Sequence, residues 1–352
     1  MDIETEKELE YHTRRMAEIL HGEADKESIK DLEGIEKTVR ALVQEHVTPK
    51  LGNFFIKKES GTEAGRKKYV QSILGKLKIT DKQGEKLGLE KGRRQSPYLQ
   101  KCCLLLSANE SYARAEEDIA TLTGIKVSHS TQQRLVHRTN WEEPMLEKPN
   151  EEMSLDGGMI RVRTEKGKSC EWKEYKGLNV HGQTKVAYFK DNESLCSWVN
   201  TQPLAKKVGC LGDGHDGVWS IFAGIGMSEQ REEILDWYHL MENAHKMTAS
   251  SNDLKVIESF LWRGKTREAK KYIRDKKIIN SVDFVNYLNN HQHRIIDYQA
   301  RQENGASIGS GAVESLIKQI ASRVKLTGAQ WAFKNVPNVL KHRCAYLNGV
   351  LN

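Results

Sequence analysis

The sequence predicts a mixed α/β fold with an all-α region before it. Through residues 1–60, apolar residues recur every three or four positions among charged ones, which is the period of amphipathic helices. After residue 150 the hydrophobic pattern changes, and short strand-like runs alternate with helical ones. With 38% hydrophobic and 29% charged residues in a chain of 352, the composition is that of a globular protein with two or three domains.

Residues 1–95 are interpreted as a helical N-terminal region and a connector. The helical part carries segments such as KESIKDLEGIEKTVRALVQEHV, in which apolar residues form one face. The connector, residues 61–97, is rich in glycine and lysine and contains one strand-like run, YVQSILGKLKIT. The alternative for residues 61–97 is a reduced small domain.

Residues 96–140 have the pattern of a helix-turn-helix DNA-binding domain. An apolar helix from Ser96 is followed by a second helix, Ser111 to Leu122, and a glycine-containing turn at residues 123–125. A third helix, with Ser128 or Ser130 as its N-cap, carries polar and basic side chains that could reach bases or phosphates. These DNA-binding candidates are Gln132, Gln133, Arg134 and Arg138. The alternative is an ordinary helical hairpin.

Residues 150–352 predict a catalytic domain with a mixed sheet. Three strand-like runs, MSLDGGMIRVR, CEWKEYKGLNV and KVAYFK, precede a helix-like stretch, NESLCSWVNTQPLAKKVG. Two further strands, VGCLGDG and EEILDWY, enclose the helix-like DGVWSIFAGI, and residues from about 241 to 303 read as helices inserted before the last part of the domain. The order β-β-β-α-β-α-β-α is that of the ribonuclease H-like fold, in which the first and fourth strands are neighbours and a late helix packs across them.

Three acidic residues stand out in this domain. Asp156 lies inside the first strand-like run, where an aspartate is unfavourable, Asp213 ends the fourth between glycines, and Glu314 begins a late helix. In the proposed topology the three carboxylates meet at one end of the sheet, and divalent cations would relieve their repulsion. Hard oxygen ligands suit Mg²⁺ or Mn²⁺, and two such ions can cleave a phosphodiester.

Each of these residues also has a structural interpretation. Asp156 could end a strand at a turn. Asp213 could cap the following helix, which Asp216 could equally do. Glu314 could be a first-turn glutamate that balances the helix dipole.

The ordered segments LDGGMI, LGDGHDGVW, ILDWYH and GSGAVES resemble the ISKra-four family of insertion-sequence transposases, over about residues 96–352. The resemblance implies a ribonuclease H-like transposase of the DDE type, with Asp156, Asp213 and Glu314 as catalytic metal ligands. It also implies accessory roles for Asp236 and His239, which match a Cys/Asp-x-x-His signature; the alternative is a helix cap at Asp236. Relatives commonly carry a CxxC zinc-ribbon segment before a stretch like GLEKGRR, whereas this chain has no CxxC pair.

The C-terminal region is expected to contact DNA. Between Lys318 and Arg343 the chain has six basic residues and no acidic one, within an overall net charge of +7. The candidates there are Lys318, Arg323, Lys325 and, as a base-stacking residue, Trp331. Trp219 and Trp237 are interpreted as core residues instead.

These patterns predict a DNA transposase that hydrolyses and transfers strands at the ends of an insertion sequence. The expected partners are double-stranded DNA, as terminal inverted repeats and target, and further copies of the chain. Two alternatives stay open: a ribonuclease H-like nuclease, and a domesticated or decayed transposase that only binds specific DNA. No run approaches the roughly 20 apolar residues of a membrane span, and the acidic start MDIETEKELE lacks a signal-peptide core. We therefore expect a cytoplasmic, nucleoid-associated protein.

Overall fold

A computed structural model describes residues 1–351 of the chain. The chain divides into two compact units, Met1–Leu135 and Val136–Asn352. Both contain helices and strands, so the protein is a mixed α/β protein. Among residues 1–351, no helix combines the length and the apolarity that crossing a membrane requires.

The first unit consists of helices and one two-stranded sheet. Its strands are β1 (Lys67–Ser72) and β2 (Gly75–Thr80). Its helices are α1 (Ile3–Glu23), α2 (Leu32–Leu42), α3 (Thr48–Ser60), α4 (Asp81–Lys86), α5 (Pro97–Ser107), α6 (Tyr112–Thr123) and α7 (His129–Arg138), the last of which crosses the boundary between the units.

The prediction of an all-α N-terminal region is wrong at residues 67–80. These residues form an antiparallel hairpin, with Val70 opposite Leu77. Val70, Leu77 and Ile79 alternate with polar residues and form a small buried cluster against Ile56 and Leu89. The strand-like run in the connector is therefore two strands, because its apolar alternation gives each strand one buried face.

The three helices predicted from residue 96 onward are present. Ser96 and Ser111 cap α5 and α6, each accepting a hydrogen bond from the backbone three residues later. Gly124 ends α6 in the left-handed conformation, with φ of +75°, which an L side chain rarely adopts. Serine caps and a terminal glycine thus define helix bounds that the sequence predicts.

Within the described residues, the second unit contains five strands and nine complete α-helices. The strands are β3 (Asn150–Val162), β4 (Glu171–Val180), β5 (Thr184–Phe189), β6 (Leu204–Gly212) and β7 (Arg231–Leu235). The helices are α8 (Asn192–Thr201), α9 (Asp216–Phe222), α10 (Trp237–Ala244), α11 (Ser251–Trp262), α12 (Thr266–Asp275), α13 (Val282–Asn290), α14 (Tyr298–Glu303), α15 (Gly311–Val324) and α16 (Val336–Leu347).

The five strands form one mixed sheet in the order β5-β4-β3-β6-β7. The first three strands are antiparallel neighbours, and β6 and β7 are added in parallel on the other side of β3. The predicted adjacency of the first and fourth strands is therefore confirmed. One predicted helix is too long: α8 ends at Thr201, because Pro203 cannot continue a helix, and residues 204–212 form β6 instead.

Helices cover both faces of this sheet. On one face, Met153 and Leu155 of β3 share a hydrophobic core with residues of α8, α9 and the helices between β7 and α15. On the other face, α15 lies against β3 and β4, and α16 lies against β5. Since side chains alternate along a strand, Asp156 points to the face that α15 covers.

Candidate active site

Two of the predicted carboxylates lie at the same level on neighbouring strands. Ser154 of β3 is opposite Leu211 of β6 in parallel register. Asp156 lies two residues after Ser154 in β3, and Asp213 lies two residues after Leu211, directly after β6 ends. Both residues are therefore at the carboxyl end of β6. β3 continues through Asp156 to Val162, which excludes the interpretation that Asp156 only ends a strand at a turn.

The third carboxylate is brought to this level by α15. Gly177 of β4 is the cross-strand partner of Asp156, and a Cβ atom on Gly177 would lie 2.8 Å from Cδ1 of Ile317. Glu314 lies one helical turn before Ile317, on the same side of α15. The Asn179 side chain also donates a hydrogen bond of 3.0 Å to the Ala312 carbonyl and fixes the start of the helix. The close approach at glycine therefore brings Glu314 near enough to Asp156 for its charge to raise the pKa of Asp156.

The surroundings of Asp156 disfavour its charged form. Burial raises the pKa of Asp156, and the negative charges of Asp213 and Glu314 raise it further. The Gly157 backbone, which donates a hydrogen bond of 2.6 Å to Asp156 Oδ1, and the nearby Lys176 act in the opposite direction without cancelling the effect. An anionic cluster with too little positive charge around it is what a divalent cation would neutralise.

Asp213 lies in a tight turn rather than at a helix cap. Its Oδ1 accepts a hydrogen bond of 2.9 Å from the His215 backbone. His215 is the residue that caps α9, since its Nδ1 accepts from the Gly217 backbone at 3.1 Å. Gly214 has a φ of +97°, and a Cβ there would lie 2.5 Å from the Tyr287 hydroxyl. The carboxylate of Asp213 is thus free of the capping role that the sequence left open.

Asp236 is a fully buried carboxylate at the end of β7. It caps α10 by accepting a hydrogen bond of 2.9 Å from the His239 backbone. Its other oxygen accepts from the backbone and, at 2.6 Å, from the hydroxyl of Ser310, immediately before α15. Burial alone would raise its pKa, but the hydrogen bonds from His239 and Ser310 prevail and lower the pKa to about 2. Asp236 therefore connects the end of β7 to the start of α15.

His239 carries a positive charge beside the carboxylates. Its Nδ1 lies 3.4 Å from Asp236 Oδ1. The interaction with Asp236 raises the pKa of His239 to about 9, against the effect of burial, and the charges of Asp213 and Glu314 add to the rise. The imidazole is consequently protonated at neutral pH.

Two ligand sets for a metal ion can be compared. Asp236, His239 and Glu314 each present a possible ligand atom, and these atoms lie within 4.8 Å of one another. However, both oxygens of Asp236 already accept hydrogen bonds, and His239 would have to lose its proton in order to ligate a metal. Asp156 and Asp213 each accept one backbone hydrogen bond, and together with Glu314 they offer the hard carboxylate oxygens that Mg²⁺ and Mn²⁺ prefer.

The predicted DNA-contacting residues of α7 differ in exposure. Gln133, Arg134 and Arg138 are exposed. Gln132 is completely buried, where it accepts a hydrogen bond of 2.9 Å from the Ser107 hydroxyl and donates one to the Val127 carbonyl. The prediction that Gln132 reaches DNA is therefore wrong, because its amide holds α7 against α5 and the preceding loop.

The C-terminal candidates divide in the same way. Lys318 and Lys325 are exposed. Trp331 is buried, and its indole nitrogen donates a hydrogen bond of 2.9 Å to the Val324 carbonyl. Arg323 is also buried, with its guanidinium 5.0 Å from the centre of the Trp331 ring. Arg323 and Trp331 are therefore core residues, contrary to prediction, whereas Trp219 and Trp237 are buried as expected.

Two residues of the site were not predicted from the sequence. Ser310 joins Asp236 to α15, and its position directly before a helix next to glycine is the signal that could have identified it. Lys176 is a nearly buried lysine near Asp156, paired with Glu174 at 2.8 Å. A lysine in a strand has no distinguishing sequence pattern, so only the packing identifies it.

The sequence matches no protein-family model and no curated protein.

Proposed function

We propose that the protein is a DDE-type DNA transposase, resembling the ISKra-four family, that hydrolyses and transfers DNA strands at the ends of an insertion sequence. The observation that carries the proposal is the convergence of Asp156, Asp213 and Glu314 from two neighbouring strands and a late helix. Burial and the negative charges of Asp213 and Glu314 raise the pKa of Asp156, and a purely structural site has no reason to keep such a destabilising feature.

The strand arrangement supports a ribonuclease H-like catalytic core. Three antiparallel strands are followed by two parallel ones, and the first strand is central. Helices α11 to α14 correspond to the proposed helical insertion between the second aspartate and the glutamate. A fold by itself does not establish a reaction, so the proposal depends on the carboxylates.

Mg²⁺ or Mn²⁺ held by Asp156, Asp213 and Glu314 would supply activation of a water or 3′-hydroxyl nucleophile and stabilisation of the leaving oxygen. The chain's own contribution is positioning and charge. Asp236, through Ser310, fixes the start of the helix that carries Glu314. Asp236 also keeps His239 protonated, so that the imidazolium can donate a hydrogen bond to a phosphate oxygen of DNA.

Double-stranded DNA is the proposed partner. In α7, the exposed Gln133, Arg134 and Arg138 are candidates for contacts to the element ends. In the C-terminal region, Lys318 and Lys325 are candidates for phosphate contacts. Joining two DNA ends further implies that the protein acts as a homo-oligomer on DNA.

The test is cleavage of a plasmid that carries the element ends, in the presence of Mg²⁺. Asp156→Asn, Asp213→Asn and Glu314→Gln should each lower the cleavage rate by more than about 100-fold, since even partners of metal ligands contribute about 10–100-fold. DNA binding should be retained. Asp216→Asn, which removes an exposed carboxylate three residues from Asp213, is the matched control and should cleave at the wild-type rate.

The products separate the possible functions. Nicks with 3′-hydroxyl ends followed by joined products are expected of a transposase. Cleavage without joining would indicate a nuclease, and specific binding without cleavage would indicate a DNA-binding protein. If one of the variants Asp156→Asn, Asp213→Asn or Glu314→Gln cleaved at nearly the wild-type rate, the substituted residue would not be catalytic.

A further inference from the structure

A large cleft lies in the first unit, away from the carboxylate site. It has a volume of about 1000 Å³ and lies between the β1-β2 hairpin, the segment Gly92–Arg94 and the turn that follows α6. Seven of its fourteen lining residues are lysine or arginine, and one, Asp81, is acidic. The cleft is therefore a concave surface of strongly positive charge.

The hairpin forms the basic floor of this cleft because its two faces differ. Val70 and Leu77 point into the small apolar cluster. Lys67, Tyr69 and Lys76, which lie on the other face, are exposed. Lys76 Nζ lies 4.5 Å from the centre of the Tyr69 ring, so the exposed aromatic ring lies beside a cation.

One glutamine joins the three walls. The Gln71 backbone donates to the Arg94 carbonyl at 2.8 Å and accepts from the Ser96 backbone at 2.8 Å, which aligns residues 94–96 beside β1. The Gln71 side chain donates to the Lys126 carbonyl at 3.0 Å, which attaches the turn after α6. The hydrogen bonds of Gln71 thus hold the basic side chains of three separate segments around one concavity.

Most of the positive charge in the cleft is not neutralised by the protein. Lys68 pairs with Asp81 at 3.1 Å, and Arg93 pairs with Glu90. Within residues 1–351, no carboxylate lies within 4.0 Å of the charged groups of the other five basic lining residues. These are Arg66, Lys67, Lys76, Arg94 and Lys126. All five are exposed, and their positive charges repel one another unless an anion occupies the cleft.

We propose that this cleft binds the phosphate backbone of duplex DNA. The inference rests on the proposed function in one respect, namely that DNA is the partner, and it adds a second DNA-binding surface to the helix-turn-helix. The charges are spread over three walls of an open cleft. This arrangement suits a line of phosphates, whereas one small phosphate ester needs a single cluster of charges.

The location gives the surface a role. Gly124, Ile125 and Lys126 line the cleft and form the turn between α6 and α7. A backbone held there passes directly beside the start of α7. The cleft would therefore fix the register of the duplex for base contacts from Gln133 and Arg134 while reading no sequence itself.

The test measures binding of a random-sequence duplex to the full chain at a series of salt concentrations. The variant Lys67→Gln/Arg94→Gln/Lys126→Gln removes three unpaired charges from three walls. The slope of log K against log salt should become shallower by about two to three units, since each phosphate contact contributes about 0.9. The matched control is Lys26→Gln/Lys30→Gln/Lys37→Gln, three exposed lysines in or near α2, and its slope should stay at the wild-type value.

Lysine acetylation of the unmodified protein gives an independent measurement. DNA should protect Lys67, Lys76 and Lys126 from acetylation at least about fivefold, while Lys30 and Lys37 react as in free protein. Equal slopes for the two triple variants, or no protection of the cleft lysines, would overturn the proposal. The proposal would also be overturned if ATP or pyrophosphate bound the wild type and displaced DNA, and if only the cleft variant lost this binding. The cleft would then be a small-ligand site.

Failure of this proposal and failure of the proposed function are distinguishable. Binding of the random duplex requires neither element ends nor cleavage. If the cleft variant changes the salt slope but the wild-type protein never cleaves element ends, the cleft proposal is supported and the transposase proposal fails. If the wild-type protein cleaves element ends but the cleft variant keeps the wild-type slope, the transposase proposal is supported and the cleft proposal fails.

Discussion

Glu152 and Asp156 lie four residues apart on the same face of β3, but they differ in the donors and positive charges around them. Glu152 pairs with Arg301 and accepts hydrogen bonds of 3.0 and 3.1 Å from the backbone and hydroxyl of Ser307. His181 Nδ1 lies 3.4 Å from the same carboxylate. Burial would raise the pKa of Glu152, but these partners prevail and lower it.

Asp156 has no comparable set of donors, and its pKa is raised. The protein can therefore compensate a carboxylate on this strand with its own side chains, and at Asp156 it does not. We propose that Glu152 is a structural carboxylate and that a bound cation would compensate Asp156. Four measurements test this contrast, beginning with the largest expected effect.

Removing the compensated carboxylate should cost the most stability. Glu152→Ala leaves Arg301 mostly buried without its main partner, and we expect a loss of about 3 kcal/mol in the free energy of unfolding. Tryptophan fluorescence during urea unfolding reports on the second unit alone, because all seven tryptophans lie after residue 136. Glu151→Ala, the exposed neighbour, is the control and should change little. Equal effects of the two changes would mean that the Arg301 cluster is unimportant.

Asp236 is a second compensated carboxylate, and its loss should have an intermediate effect. In the wild type, one carboxylate oxygen of Asp236 accepts two hydrogen bonds from Ser310. Asp236→Asn replaces this carboxylate with an amide, so the free energy of unfolding should fall by about 2 kcal/mol. The pKa of His239 should also fall from about 9 towards about 6.5, which a histidine NMR titration would measure. The control Asp297→Asn changes an exposed cap of α14 and should cost little, because asparagine caps nearly as well. An unchanged His239 titration would contradict the Asp236–His239 ion pair.

Asp156→Asn should have the smallest effect, and of the opposite sign. Because the pKa of Asp156 is raised on folding, the folded state loses stability as pH rises from the unfolded value of about 3.9 through the folded one. In metal-free solution at pH 7 the variant should therefore be more stable than the wild type, and the difference should vanish below about pH 4. For Glu152, whose pKa is lowered, the stabilisation is present above about pH 4.3 and is lost as pH falls. Parallel pH profiles for Asp156→Asn and Glu152→Ala would abolish the contrast.

The fold was largely predictable because local signals determine most of its elements. Serine caps, Gly124 and the alternation along β3 to β5 define helices and strands without knowledge of the tertiary structure. The hairpin at residues 67–80 was missed as a hairpin, because its burial depends on Ile56 and Leu89 outside it. Pro203 was a local signal for the end of α8 that the helical pattern before it obscured.

The site was predictable only where a residue type is unusual in its context. Aspartate inside a strand and aspartate between glycines identify Asp156 and Asp213 as candidates. Gln132 and Trp331 look like surface residues in the sequence, and their burial depends on Ser107 and on the Val324 carbonyl. The basic cleft could not be predicted either, since Gln71 joins segments that lie more than fifty residues apart.

The central claim is that a divalent cation supplies the compensation that Asp156 lacks. Its most direct test is unfolding of the wild type, followed by tryptophan fluorescence at pH 7, with and without Mn²⁺. At a free Mn²⁺ concentration of about 100 times Kd, one site should add about 2.7 kcal/mol to the unfolding free energy. Asp156→Asn/Asp213→Asn/Glu314→Gln should gain nothing, whereas Asp216→Asn should gain as much as the wild type. Equal stability of the wild type with and without millimolar Mn²⁺, with duplex DNA present, would contradict the claim.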